Sequence, residues 1–189
     1  MLGTVQYTPV TLDPNTADPF LALSDDLTSV IDSGRSQQLP DNPERFVSCG
    51  EMLGSRGFGS GRHTWDVEVG DNANWMVGVA SRRAERKALV PACPGNGFWG
   101  VSLRDGEYEA LESPSVPLPL REKLRGVRVQ LDWDAGRVSF SDPADGAPLY
   151  TFRHPFAEEV YPYFCTTCES HPLRLVPVEV RIRVEDPTP

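Results

Sequence analysis

Two alternating apolar runs in close succession limit what this chain can become: Gly61-Arg-His-Thr-Trp-Asp-Val-Glu-Val-Gly70 and Asn74-Trp-Met-Val-Gly-Val-Ala80. In the first, Trp65, Val67 and Val69 alternate with Asp66 and Glu68, the period of two that marks a strand with one buried face. Residues 70–74 make a turn, and Trp75, Val77 and Val79 restart the alternation. The spacing predicts a hairpin with one apolar face, carrying two of the four tryptophans. An isolated hairpin is marginal in water, so the rest of the chain must supply strands to cover that face.

The remaining sequence offers such strands at short intervals. Phe98–Arg104 and residues 107–111 flank Asp105-Gly106, a pair that closes tight hairpins because both positions tolerate positive φ. Residues 126–134 place Val127, Val129, Leu131 and Trp133 on one face, Ala135-Gly136 turns the chain, and residues 137–142 return. Segments 149–152, 161–164 and 176–184 read as further strands, the last with Val178, Val180 and Ile182 inward. Upstream, 20–26 and 27–31 are expected to pair, and 45–50 reads as a short strand. With 16 Gly and 18 Pro to make turns and no long helical pattern, roughly a dozen short strands predict an all-β sandwich of two antiparallel sheets.

Composition excludes several functions. A net charge of −9 disfavours nucleic acid, which needs a basic face to displace counterions, and disfavours anionic membranes. No run approaches the roughly 18 apolar residues of a membrane span, and Met1 to Gln6 lacks the basic and apolar regions of a signal peptide. Four cysteines in 189 residues are too sparse for a disulfide framework, so a cytoplasmic, reducing setting is expected. The glycines at 54, 57, 59 and 61 precede no Lys-Ser/Thr and no helix, so they read as a bend rather than a phosphate cradle. Cys165-Thr-Thr-Cys168 with His171 lacks the second ligand pair of structural zinc and the following helix of a redox motif, and reads as a strand end and loop. His63, His154 and His171 accompany no nucleophile elbow, and Asp25-Asp26 and Glu158-Glu159 would point to opposite strand faces. No catalytic residue, cofactor or metal site is expected.

The order of these motifs resembles the PRY-SPRY domain, found at the C-terminal end of tripartite-motif (RING, B-box, coiled-coil) E3 ubiquitin ligases and in butyrophilins. The likeness runs through Leu12-Asp-Pro14, Leu21-Ala-Leu-Ser-Asp25, Arg45-Phe46, the 61–80 stretch, Phe98-Trp-Gly-Val-Ser-Leu103, Tyr108-Glu-Ala110, Val129-Gln-Leu-Asp-Trp-Asp134, Val138-Ser-Phe140, Thr151-Phe152 and Tyr161-Pro-Tyr-Phe164. It implies a bent, concanavalin-like jelly roll, with residues 1–61 as lead-in and PRY segment and 62–189 as SPRY core. It also implies a non-enzymatic module that selects the substrate of a ligase, while a RING outside this chain recruits the conjugating enzyme. The alternative is a ligand-sensing domain of a butyrophilin-like receptor, taking a phosphorylated metabolite, sugar or lipid head group.

By the same resemblance, the partner site uses Met76, Arg82, Phe98, Ser102, Arg104, Thr166, Thr167 and Cys168. The residues themselves add Trp75 and, from the basic cluster Arg82, Arg83, Arg86 and Lys87, Arg83, a cluster that reads either as a solvated face or as a rim of the site. Trp75 begins a strand after a loop and reads either as core or as pocket floor. Phe98 would share that floor, and Arg82 and Arg104 would form a cationic rim. Such a rim suits a protein or peptide partner with an acidic or C-terminal carboxylate feature, held by the bidentate geometry of arginine. The family member that binds antibody Fc has an acidic residue at the Met76 position and tryptophans at the Ser102 and Arg104 positions, so Fc binding does not carry over. The isolated domain is expected to be a monomer, and its parent a dimer through a coiled coil.

Overall fold

The computed structural model describes residues 7–178. Their strands run β1 (Leu21–Leu23), β2 (Ser29–Asp32), β3 (Glu51–Leu53), β4 (Arg62–Glu68), β5 (Trp75–Ser81), β6 (Phe98–Arg104) and β7 (Glu107–Ala110). They continue as β8 (Val116–Pro117), β9 (Gly126–Asp132), β10 (Arg137–Ser141), β11 (Pro148–Arg153), β12 (Val160–Thr166) and β13 (Leu173–Leu175). Among the described residues the helical content is one 3-10 turn, Pro94–Asn96. Two antiparallel sheets result, ordered β1-β2-β13-β4-β9-β10-β11 and β3-β12-β5-β6-β7-β8. The segment before residue 62 feeds both: β1 and β2 join the first sheet, β3 the second.

The expected 61–80 hairpin is not formed. β4 pairs with β9 and β13 in the seven-stranded sheet, whereas β5 pairs with β12 and β6 in the six-stranded one. Alternation tells which side chains are buried but not which strand lies alongside. Residues 69–74 instead carry the chain across the roughly 10 Å between packed sheets. Asn72, 1% exposed, fastens this crossing. Its amide donates to Thr166 Oγ1 (2.9 Å) and to the His171 carbonyl (2.8 Å), and its Oδ1 accepts from the Asn74 amide (2.9 Å).

The crossing turns the two apolar faces toward each other. Trp65, Val67, Val127, Val129, Leu131 and Phe140 meet Trp75, Val77, Val79, Trp99, Val101 and Phe164 in one inter-sheet core. Each such side chain contributes about 1.5–3 kcal/mol on burial. β5 is buried along its whole length, because its second face lies under a smaller cluster. That cluster, Phe46, Leu53, Met76, Ala80, Ala84, Phe98, Leu111, Tyr163 and Cys165, sits on the outer side of the six-stranded sheet.

Three local expectations are corrected. Residues 45–50 are not a strand: Cys49 and Gly50 take φ of 62° and 65°, and the strand begins at Glu51. A Cβ on Gly50 would lie 2.3 Å from the Thr166 carbonyl oxygen, so glycine is required where the chain enters β3. Trp133 falls one residue beyond β9 but still packs, half-buried, against the core that holds Val127, Val129 and Leu131, with its indole N–H donating to the Glu158 carbonyl (3.1 Å). Of the strand expected at 176–184, residues 176–178 are not in a strand and the remainder lies outside the described residues. The edge of β4 is filled instead by β13, which the sequence pattern did not reveal.

Candidate functional site: a cleft on the outer face of the six-stranded sheet

The register of the six-stranded sheet builds the site. Glu51 of β3 lies opposite Cys165 of β12, Cys165 opposite Met76 of β5, Met76 opposite Ser102 of β6, and Ser102 opposite Glu109 of β7. Residues directly opposite on neighbouring strands share a face, so these five side chains form one row pointing away from the inter-sheet core. Above the row opens a cleft of about 630 Å3, walled by Cys49, Leu89, Val90, Pro91, Ala92, Leu111, Glu112 and Ser115, with Arg104 at one end. Leu89, 72% exposed, stands on its lip.

The wall carrying Leu89 is held down by the basic cluster at 82–87. Arg86 lies over the Phe46 ring (4.5 Å) and donates to the carbonyls of Glu44 (3.0 Å), Ala84 (3.1 Å) and Arg82 (3.2 Å). Lys87 Nζ reaches Asp41 (2.9 Å) and the carbonyls of Asn42 and Arg45 (2.8 Å each). Arg83 pairs with Glu158 (3.2 Å) and Arg82 faces Glu159 (4.0 Å). Arg82 and Arg83 therefore spend their charge outside the cleft, and the expected rim is reduced to Arg104.

The other residues expected at the site divide by burial. Met76, Ser102 and Arg104 line the cleft. Trp75, 1% exposed, belongs to the inter-sheet core, and Phe98, also 1% exposed, lies edge-on to Tyr163 beneath the surface (centroids 5.0 Å apart). Neither is a floor that a ligand could touch. Thr166 is buried with its hydroxyl engaged by Asn72 and by the Asn74 carbonyl (3.1 Å), so it braces the sheet crossing. Thr167 is exposed and Cys168 half-buried, both past the end of β12 and outside the cleft lining.

Sequence reasoning missed Glu51, Glu109, Glu112, Leu89 and Leu111. The Ser102–Glu109 pairing was legible, because a two-residue turn at Asp105-Gly106 places 104 opposite 107 and 102 opposite 109. Glu51 gave no such signal: only the pairing of β3 with β12 brings it to the row. It is 9% exposed and accepts a hydrogen bond from the fully buried Tyr163 hydroxyl. Burial pushes the Glu51 carboxyl up to about 7, with Asp18 adding to the rise and the Tyr163 hydrogen bond and Arg86 opposing it. Burial likewise holds the Tyr163 phenol and the Cys165 thiol well above their ordinary values. The cleft lining thus presents three carboxylates and one guanidinium.

Within the row Cys165 donates its thiol to the Cys49 carbonyl (2.8 Å); outside the cleft, Cys168 Sγ lies 3.4 Å from Ser170 Oγ. Burial would raise the Cys168 thiol, but the Ser170 hydroxyl and the amides of Ala73, Ser170 and His171 outweigh it and bring it to about 7. Among the described residues no group of three or more His, Cys, Asp or Glu could hold a metal ion. No helix among them is long and apolar enough to cross a membrane.

Comparison with known proteins places this architecture. Residues 10–58 match the SPRY-associated domain, PRY, and residues 62–174 match the SPRY domain. The chain belongs to the PRY-SPRY family. The E3 ubiquitin-protein ligase TRIM58 of Mus musculus is 44% identical over 170 residues, covering 89% of this chain and 35% of that protein. Butyrophilin subfamily 1 member A1 of Bos taurus is 42% identical over 178 residues, covering 93% of this chain and 34% of that protein. The crystal structure of the TRIM65 PSpry domain superposes with a TM-score of 0.80 over 94% of this chain and 99% of that one, at 23% identity, which is a likeness of fold. The PRY-SPRY chain spans between 26% and 35% of the length of the curated relatives it matches.

Proposed function

We propose that this PRY-SPRY domain is a protein-recognition module that selects the partner or substrate of a tripartite-motif-type E3 ubiquitin ligase, and that it does so through the cleft on the six-stranded sheet. The observation that carries this reading is the cleft itself. A depression of about 630 Å3 sits on a sheet whose reverse face is the main core, so its shape is set before any partner arrives. That preorganisation lowers the ordering cost of binding. An exposed Leu89 beside a polar rim is the composition expected of a contact surface.

Met76, Ser102 and Arg104 are the sequence-expected residues that this reading retains as contacts, joined by Leu89, Glu51 and Glu109. The phosphorylated-metabolite form of the ligand-sensing alternative finds no support in the cleft, because a phosphorylated ligand needs several cations and the lining supplies Arg104 alone. The four free cysteines fit the reducing cytoplasmic setting such a ligase would occupy.

The test compares affinity capture by the wild-type chain, by the double variant Leu89→Asp/Arg104→Ala, and by Thr151→Ala, an exposed site on the other sheet. Proteins retained by wild type and Thr151→Ala but lost from the double variant support the cleft. An identical retained set from all three would refute it.

A further inference from the structure

The charge of the cleft runs opposite to what a cationic rim would select. Glu51, Glu109 and Glu112 line it together with Arg104, Glu112 accepting from the Tyr150 hydroxyl (3.0 Å), while Arg82 and Arg83 are paired elsewhere. Glu51 is the informative member. Its carboxylate is nine-tenths buried, takes one hydrogen bond, from the neutral Tyr163 hydroxyl, and feels Arg86 only through space. A buried carboxylate without a charged partner is unfavourable, and an ammonium or guanidinium delivered on a hydrogen-bonding path removes that cost. Next to it in the row stands Cys165, then the apolar Met76 two strands away, and the far wall offers Leu111. Such surfaces suit the methylene stem of a long basic side chain whose charged head reaches further in.

We propose that the cleft takes a lysine or arginine side chain from a partner polypeptide, with Glu51 as its counter-ion at the floor and an adjacent apolar partner residue packed on Leu89. This rests on the reading of the cleft as the partner site and specifies what that site selects. The occupant is a protein segment rather than a free cation, because the apolar lip at Leu89 and Val90 lies outside the reach of the charge-bearing group.

Binding then couples to pH. The groups facing Glu51 are Tyr163 and Cys165 from β12, Cys49 preceding β3, Asp18 from the N-terminal turn and Arg86 from the 82–87 segment, while Arg104 from β6 acts on the neighbouring Cys49 and Cys165 thiols. The two thiols and the phenol are all pushed upward and stay neutral, so Glu51 is the member that changes charge near neutrality. A partner cation favours the ionised form. Affinity should therefore rise about tenfold from pH 6 to pH 8 for a carboxyl that titrates about 7 when free and lower when bound.

The experiment measures binding of three capped octapeptide pools, degenerate except for a central Lys, Arg or Glu, by fluorescence polarisation at pH 6, 7 and 8. The Lys and Arg pools should bind and the Glu pool should not, with the tenfold pH dependence for the first two. Glu51→Gln should weaken the Lys pool and flatten its pH profile. If that variant fails to fold, the double variant Glu109→Gln/Glu112→Gln serves, with weakened Lys-pool binding expected. Equal binding of all pools, preference for the Glu pool, no binding of any pool, or Lys binding untouched by the carboxamide variants would each overturn the proposal. Should protein capture still depend on Leu89 and Arg104 in any of those cases, the cleft remains the partner site and only its selectivity for a basic side chain falls.

Discussion

Replacing Glu51 by Gln converts the one titrating group at the cleft floor into a neutral side chain of nearly the same shape. In the folded chain burial holds this carboxyl up to about 7, against an ordinary value of 4.5. A carboxyl raised on folding binds its proton more tightly in the native state. Its contribution to stability is therefore fully present below about pH 4.5 and is lost as pH rises through about 7. At 1.36 kcal/mol per unit, the two titrations predict a loss of about 2–3 kcal/mol between pH 5 and pH 8. Gln does not titrate, so Glu51→Gln should be close to wild type at pH 5 and more stable than wild type by about that amount at pH 8. Urea unfolding followed by tryptophan fluorescence measures this directly, since Trp65, Trp75 and Trp99 are buried in the core. The comparison cancels every other titrating group the two chains share. A stability difference that stays flat from pH 5 to pH 8 would show that Glu51 is not desolvated as described, and one that shrinks would show that the sign is wrong.

The other predictions concern packing and thiol chemistry. Phe98→Ala should lose about 3–5 kcal/mol of stability, the usual cost of emptying an aromatic core site, because the ring is buried on Tyr163. Urea titration showing a loss under about 1 kcal/mol would contradict its burial and restore it as a candidate contact. In timed iodoacetamide labelling at pH 7 with peptide mass spectrometry, Cys168 should react before Cys49 and Cys165. Its thiol is drawn down to about 7, whereas theirs are pushed up, and the thiolate is the nucleophile. Labelling of Cys49 ahead of Cys168 would refute that order.

Local pattern and tertiary contact divided the information unevenly. Period-two alternation marked the buried face of β4, β9 and β10, and Asp105-Gly106 marked the β6–β7 hairpin with its register, because these depend on residues close in sequence. The pairing partners of β4 and β5 did not follow, since a side-chain period is identical whether the neighbouring strand is six residues away or sixty. The same limit left Trp75 open between core and pocket floor, since an aromatic at a strand start reads alike whether it points into the sandwich or out of it. Phe98, which points outward, is covered by its packing on Tyr163. Arg82 and Arg83 read as free cations because Glu158 and Glu159, which pair with them, lie about seventy-five residues downstream.

By itself the sequence determined an all-β body of many short strands, the positions of its tight turns, and the family to which it belongs, since each of these is written in local periodicity and in motif order. Tertiary structure alone decided that residues 61–80 bridge two sheets rather than form one hairpin, and that Glu51 stands in a row with Cys165, Met76, Ser102 and Glu109. It also decided the charge of the cleft. Whether a charged side chain is spent on a neighbour or left facing an opening depends on what the fold brings within a few ångströms of it, and no stretch of sequence carries that distance.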